Sequence, residues 1–548
     1  MKKIIIFLVV VGLVAGGVWW YGATHKGAVL QKTIQNVDKV LKFDQLDEST
    51  KAKFGTIQDI ANAMLAQDDV KRRYLIFLQN NFELRPGGGF LGQYAIIEMK
   101  NGEIISHEVK DTNVLDNTYK SDMYLPENLQ KYLVGTKKWK IRDANYSPDF
   151  PENVKIALHF FELGGVDTNF DGVFAINSSV FEKLLEITGP ISTTEKDFEK
   201  YGEFSSDGAL WKLQKIVEEP VFRADYRKQC EKALKKAGIV DDGDSGSVAH
   251  KKWKACQYDE NGKKYKKMSK AQRADRKLIM DALEKELIKK LVSIENIEPL
   301  IQLTTDALNE KDIQLWFRDE HLEQLARKEN WTGEVDKDWD GDYVMVVDAN
   351  VGALKSDYYM KRAMEYKVDF TGRSAEANDA NAGRMVRYIT PDVKEKVMGR
   401  TFVTDKPLST MRMTYTNTAS QPSWFNSDYH SFTRLYTPEG TRWYVREWFE
   451  APGVEKGVFG NKQVYSYKFD VLLGDTIPTM LQYTLPDTIK EDGYKLKIQK
   501  QSGIGNIPLK VTVITSDGKE HTKEIEFKTD TVFELRDGAN GKELVVVE

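Results

Sequence analysis

The sequence predicts an α/β head domain carrying a helical insertion, followed by a C-terminal all-β sandwich-like domain, behind a single N-terminal transmembrane helix. Three observations predict it. Strand-like and helix-like patterns alternate over residues 73–189, lysine-rich helical spacing fills 195–308, and short β runs punctuated by turns occupy the chain beyond Lys406. At ~150 residues per domain, 548 residues allow several domains with sizeable cores. A composition of 41% hydrophobic and 30% charged residues excludes a wholly disordered, collagenous or polytopic membrane chain. The formal net charge of −4 argues against a nucleic-acid protein, which needs a concentrated basic surface to neutralise phosphates.

Boundaries follow in order: a signal-anchor over 1–25, a helical stalk over 26–69, the α/β core over 70–195, the helical insertion over 196–310, a mixed α/β continuation over 311–405, and the β-sandwich over 406–548. Residues 4–23 are uncharged, follow Lys2 and Lys3, and carry Trp19, Trp20 and Tyr21 near their far end. Twenty helical residues at ~1.5 Å each span ~30 Å, the thickness of a bilayer core. The lysines favour the cytoplasmic side and the aromatic residues the opposite interface. The partner implied is the lipid bilayer, and the bulk of the chain is expected outside the cytoplasm. A signal peptide cut after Ala15-Gly16-Gly17 would export the chain equally.

In the stalk, Val29, Ile34, Val37 and Leu41, then Phe54, Ile57, Ile60, Ala61 and Met64, recur at helical spacing. This predicts helices that space or pack on the first domain, or that self-associate. In the core, residues 74–79 read as a buried strand, and 94–99 with 103–109 as a hairpin across Asn101-Gly102. Residues 151–163 read as a helix opened by Pro151 and ended by Gly164-Gly165, 172–176 as a strand, and 178–187 as a helix. Cys230 and Cys256 are the chain's two cysteines and flank a polar, lysine-rich loop. In an exported protein they are expected to form a disulfide; in a reducing niche they would stay free.

Two clusters could carry chemistry. Gln79 to Gly92 runs from a strand end into Arg85-Pro86-Gly87-Gly88-Gly89. Backbone N–H groups of Gly87, Gly88 and Gly89 beside Arg85 could cradle phosphate or pyrophosphate, or the turn could be purely structural. Arg142-Asp143 precedes a helix that Ser147 or Asp149 can cap. With Asp111 after the hairpin, the pair could form part of a phosphate and metal site, with Arg142, Asp143 and Asp111 in catalytic roles, or a structural ion pair. Asp336, Asp338 and Asp340 resemble the start of an EF-hand calcium loop, but its twelfth position is Val347 rather than Glu, so they read as a calcium-binding turn or simply as a solvated acidic turn. The cofactors this admits are Mg²⁺ or Ca²⁺. No zinc-protease or serine-hydrolase motif is present.

Asn80-Asn81-Phe82-Glu83-Leu84-Arg85-Pro86-Gly87-Gly88-Gly89-Phe90-Leu91-Gly92, Arg142 to Pro151, Asp171 to Asn177 and Ile187 to Ile191 resemble the bacterial domain of unknown function 4012. Weaker echoes continue at 307–315, 348–355, Leu485-Pro486 and 499–503. The resemblance implies an exported, membrane-anchored protein and no assigned activity; Gly87 stands where the family often has Thr. More distantly, the order of motifs is similar to the LytR-CpsA-Psr phosphotransferases, which move glycopolymer from a lipid pyrophosphate to the cell wall. Here Lys110-Asp111 replaces that family's Arg-Asp pair, and a lysine lacks arginine's bidentate fork. Two functions are therefore expected in turn. The first is an envelope protein binding or scaffolding surface polymer or protein. The second is a phosphotransferase acting on polyprenyl pyrophosphate and cell-wall glycopolymer, with Arg85 and Arg142 on the phosphates and Asp111 or Asp143 on Mg²⁺.

Overall fold

The computed structural model describes residues 48–132, 138–240, 242–243, 247–257, 278–291, 297–352, 354–371, 406–447, 453–538 and 541–547. The expected anchor over 1–25 and the stalk up to residue 47 lie outside the described residues. Among the described residues no helix is long and apolar enough to cross a membrane.

The chain divides into two compact units. The larger takes in Ile34–Ser178, Thr304–Pro422 and Asn426–Glu548. It opens with helix α1 (Glu48–Met64), then strands β1 (Lys71–Arg85), β2 (Gly88–Lys100) and β3 (Glu103–Asp111), short helices α2 (Thr112–Asp116) and α3 (Glu127–Tyr132), helix α4 (Phe150–Leu163) and strand β4 (Gly172–Asn177). With β5 (Ile313–Phe317) these strands form a sheet in the order β3-β2-β1-β4-β5. β1 and β4 run parallel and the other pairs antiparallel. The parallel pair is closed by α4, whose Asp149 side chain accepts from Glu152 N at 3.3 Å and whose second residue is Pro151. That is the start the sequence predicts. Val154, Ala157 and Phe161 of α4 cover Leu75, Phe77, Val173 and Ala175 of the sheet. The hairpin turns where expected: Asn101 and Gly102 both adopt positive φ, 51° and 70°, as a two-residue turn matched to strand twist requires.

β1 is longer than the expected 74–79. It continues through Asn80 to Arg85 with register shifts at Leu78/Gln79 and Asn80/Leu84. Such bulges accommodate polar residues that a regular ladder would misdirect. α1 packs on the domain, one of the arrangements its spacing predicts. Its Phe54, Ile57, Ile60, Ala61 and Met64 are buried, and it packs on a later helix, Glu320–Lys328. Thr56 Oγ1 donates to Glu329 at 3.0 Å just beyond that helix.

Two large sheets complete this unit. One has the order β10-β13-β8-β7-β15-β16, the other β11-β12-β9-β6-β14-β17-β18. Their strands are β6 (Asp342–Asn350), β7 (Met360–Asp369), β8 (Leu408–Asn417), β9 (Tyr429–Pro438), β10 (Arg442–Glu447), β11 (Gly453–Val458) and β12 (Lys462–Val471), followed by β13 (Thr476–Thr484), β14 (Lys495–Gln499), β15 (Ile507–Ile514), β16 (Glu520–Phe527), β17 (Thr531–Gly538) and β18 (Gly541–Val547). Val344, Leu435, Tyr465 and Leu496 from one sheet share a core with Tyr366, Met413, Tyr483 and Val511 from the other. The all-β region therefore begins at Asp342, well ahead of residue 406. β6 and β7 sit inside the two sheets, each joined by parallel pairing to β14 and β15 respectively. All nine residues of β6 are buried. Val344 and Val346 face the shared core while Tyr343, Met345 and Val347 face a second cluster with Val335, Tyr436 and Val464. Burial on both faces leaves no alternating pattern, so the strand's sheet cannot be read from periodicity.

Asp342, at the start of β6, is fully buried. Its carboxylate accepts from Tyr366 Oη at 2.6 Å and Tyr494 Oη at 2.7 Å. Burial pushes its pKa from 3.8 up to about 6, against the pull of those hydroxyls. The folded chain then holds this proton to higher pH than the unfolded chain, so stability falls as pH rises from about 3.8 to about 6. The expected loss is on the order of 2–3 kcal/mol. Urea unfolding at pH ~4 and pH ~7 checks it: Asp342→Asn should lack this component, and a profile identical to wild type would refute it.

The smaller unit comprises Ser179–Leu303 with the short segment Ser423–Phe425, as far as described residues show. It begins at helix α5 (Ser179–Thr188), which sequence reading had placed in the core domain. Helices α6 (Ala209–Val217), α7 (Glu219–Lys236), α8 (Val248–Gln257) and α9 (Leu278–Leu291) follow, and α10 (Ile297–Asn309) leads out of it. α6 and α9 pack on α5, with Leu184, Leu210, Leu283 and Leu287 buried. Cys230 of α7 and Cys256 of α8 are disulfide-bonded. The remaining helix, Glu320–Lys328 of the larger unit, is α11.

Candidate functional site

β1 carries a polar tail because its last residues leave the apolar core and meet other chain segments. Arg85 is enclosed there. Its guanidinium lies 2.8 Å from Glu83 and 3.7 Å from Asp143, donates to the Asn350 carbonyl at 2.9 Å, and faces the Phe90 ring. Burial opposes the charge on Arg85, and the Glu83 and Asp143 carboxylates outweigh it, so the proton is held more firmly than usual. Burial pushes the Asp143 carboxyl up despite the pull of Arg85 and Arg142. A guanidinium so matched by carboxylates offers little net attraction to an anion.

Arg142 is placed differently. Its Nε is 2.8 Å from Asp116, which is fully buried at the end of α2 and also accepts from Tyr119 Oη and Ile141 N. The Arg142 side chain keeps 32% exposure. Asp111 caps the start of the same helix, accepting from Asn113 N at 2.8 Å. The expected catalytic residues Arg142, Asp143 and Asp111 are thus gathered around α2 and the turn Ile141–Asp143, with Asp111 and Arg142 at opposite ends of one five-residue helix.

The three glycines are not an open cradle. Gly87, Gly88 and Gly89 are buried, Gly87 N donates to the Asn145 carbonyl at 2.9 Å, and Gly89 N donates to Asn177 Oδ1 at 3.1 Å. Gly88 has a φ of 126°, and a Cβ there would meet the Gln79 side chain. A Cβ at Gly503 would come within 2.9 Å of the Gly88 backbone. The expected phosphate-binding residues therefore serve close packing of backbone on backbone.

Distant motifs close around this turn. Gln501 Nε2 donates to the carbonyls of Arg85 and Asp348, and its Oε1 accepts from Asp348 N. Asn177 Nδ2 donates to Ser502 Oγ at 3.1 Å. Leu84 N donates to Asp357, which with Asp348 holds the buried Arg362 at 2.7 and 2.9 Å. In open α/β sheets ligands often bind beyond the carboxyl ends of parallel strands. Here Gln79 and Asn177 end the parallel pair, and segment 499–503 fills the space beyond them. Sequence reading missed Asp116, Asn177, Arg362 and Gln501 as partners, since no local pattern links residues so far apart. Gln79, which opens the glycine-rich cluster, and Gln314, which sequence reading missed, are both nearly fully buried with no hydrogen-bond partner for either side-chain atom, and Asn145 Oδ1 has none either. A glutamine interrupting the apolar run of β1 was the one available signal.

Of the two readings of the acidic turn, the ion pairs favour the one without calcium. Asp336 pairs with Lys497 at 2.6 Å and Asp340 with Lys495 at 2.5 Å, while Asp336 Oδ1 accepts from Asp338 N and Trp339 N. Lysine ammonium groups occupy the position a cation would take, and Val347 lies inside β6. Among the described residues no group of three or more His, Cys, Asp or Glu is arranged to hold a metal ion, which applies equally to Asp111 with Asp143.

Fold and joint together define a β-sandwich protein with an α/β layer fixed to it by a buried polar network. Residues 69–204 match the model of the family described as a protein of unknown function, DUF4012. No curated protein matches the chain. Two solved structures are similar over part of it. The Lin1025 protein from Listeria innocua is 11% identical with a TM-score of 0.20, covering 48% of this chain and 79% of that one. Protein gbs0355 from Streptococcus agalactiae is 14% identical with a TM-score of 0.22, covering 49% and 76%.

Proposed function

We propose that this chain is a cell-envelope protein, anchored by residues 4–23 with its bulk outside the cytoplasm, that binds or scaffolds surface polymer or protein without transferring a chemical group. The observation that carries this reading is the enclosure of Arg85 between Glu83 and Asp143. A transferase would need that cation facing a pyrophosphate, and its removal from solvent serves folding instead. The anchor is supported by the uncharged length of 4–23 and its flanking lysines.

A second reading, phosphoglycosyl transfer from polyprenyl pyrophosphate, rests on Arg142, whose side chain keeps access to solvent with only Nε bound to Asp116. The test is binding of polyprenyl pyrophosphate to the full chain and to Arg142→Ala. Negligible affinity in both is expected. Tight binding that Arg142→Ala abolishes would overturn the scaffold reading in favour of the transferase. Localisation is tested separately: a C-terminally tagged chain should pellet with membranes and be cleaved by protease added to spheroplasts. Recovery of the intact chain in the cytosol would remove the envelope reading.

A further inference from the structure

Much of the lysine surface of the larger unit is paired with carboxylates. Lys71 meets Glu98, Lys510 meets Glu524, and Lys519 meets Asp517. The disulfide-joined helices α7 and α8 break that habit. Lys228, Lys232 and Lys235 follow at i, i+4 and i+7 along α7, and Lys251, Lys252 and Lys254 lie on α8. All six are exposed, and none has an ion-pair partner among the described residues. Like charges four residues apart weaken a helix, so the stripe works against the stability of α7. The helices pack on each other through Cys230–Cys256 and the bond from Gln257 to Glu231.

The chemistry of the face narrows its partner. Arg227 is engaged by Glu231 at 2.9 Å and Arg223 by Glu219, so the free cations are all ammonium groups. These are hydrated point charges that attract distributed negative charge rather than gripping one planar anion bidentately. Neighbouring lysines on α7 stand ~5–6 Å apart, a spacing suited to a chain with one charge per repeating unit. Trp253 is half-buried beside His250, so α8 shows no exposed ring on which a base could stack.

We infer that the α7–α8 face is a docking surface for a linear, phosphate-bearing surface polymer of the polyol-phosphate type. This deepens the scaffold reading and rests on it, naming the polymer and the place where it binds. Attraction of this kind weakens steeply with salt, as counterions released on binding are recaptured.

The experiment measures binding of the full chain, in neutral detergent, to immobilised poly(glycerol phosphate). Polygalacturonate, double-stranded DNA and phosphatidylglycerol vesicles are run beside it. Wild type should bind the polyol phosphate best and lose it as salt rises. Changing Lys228, Lys232 and Lys235 together to Gln should weaken binding about tenfold or more. Changing the equally exposed Lys120, Lys155 and Lys490 to Gln should leave it unchanged. Circular dichroism and an intact Cys230–Cys256 bridge confirm folding of each variant. Equal affinity in wild type and the α7 variant overturns the inference while leaving a polymer-binding scaffold standing elsewhere on the chain. Preference for DNA, vesicles or polygalacturonate overturns it too, and failure to bind any polymer removes the scaffold reading with it.

Discussion

Arg85→Met should destabilise the larger unit by about 3–5 kcal/mol, the usual consequence of removing one partner from a buried charge pair. Glu83 and Asp143 would be left without their cation, and the carbonyl of Asn350 without its donor. The deficit has a pH signature. Without the guanidinium the Asp143 carboxyl, already pushed up by burial, loses a cation that opposes that push and holds its proton to higher pH in the folded state, so the variant should recover stability as pH falls, relative to wild type. Adding Glu83→Gln should restore part of the loss. Urea unfolding followed by tryptophan fluorescence measures all three, and a single variant as stable as wild type would show that Arg85 is free for ligand binding after all.

Gly89→Ala should be comparably severe. A Cβ at this position would collide with the backbone of Asn80 and Asn81, which cannot swing aside as a side-chain tip can. Strain of this type costs ~1–3 kcal/mol and more when backbone must move. By contrast Gly92→Ala, where a Cβ would find only the Phe90 ring at 3.7 Å, should be tolerated. The ratio of their unfolding midpoints checks this. Equal stability of the two variants would mean that the turn is looser than its packing implies.

Much of the fold was legible because its signals are local. Asn101-Gly102 fixes a hairpin, Asp149 with Pro151 starts α4, and the spacing of Phe54 to Met64 gives the buried side of α1. The larger sheets were legible as strands but not as sheets. β8 alternates buried and half-buried residues, so its run reads clearly, whereas β6 is buried throughout and was taken as part of the preceding domain. The site was legible as residues and not as roles. Arg85, Arg142, Asp143 and the glycines do come together, but whether an arginine faces solvent or Glu83 depends on segments hundreds of positions away. Asp336 and Asp340 show the same limit: an acidic turn matches a calcium loop in sequence until Lys495 and Lys497 arrive from β14.

The parallel pairings at the middle of the two large sheets bear on how this protein is made. Leu496 lies beside Asp342 and Leu509 beside Met364, so β6 and β7 find their neighbours only after the C-terminal stretch has been synthesised. Such high contact order slows folding and leaves apolar strands exposed meanwhile. Until that stretch emerges both central strands wait for their parallel neighbours, and a truncation before Lys495 would leave neither sheet able to close.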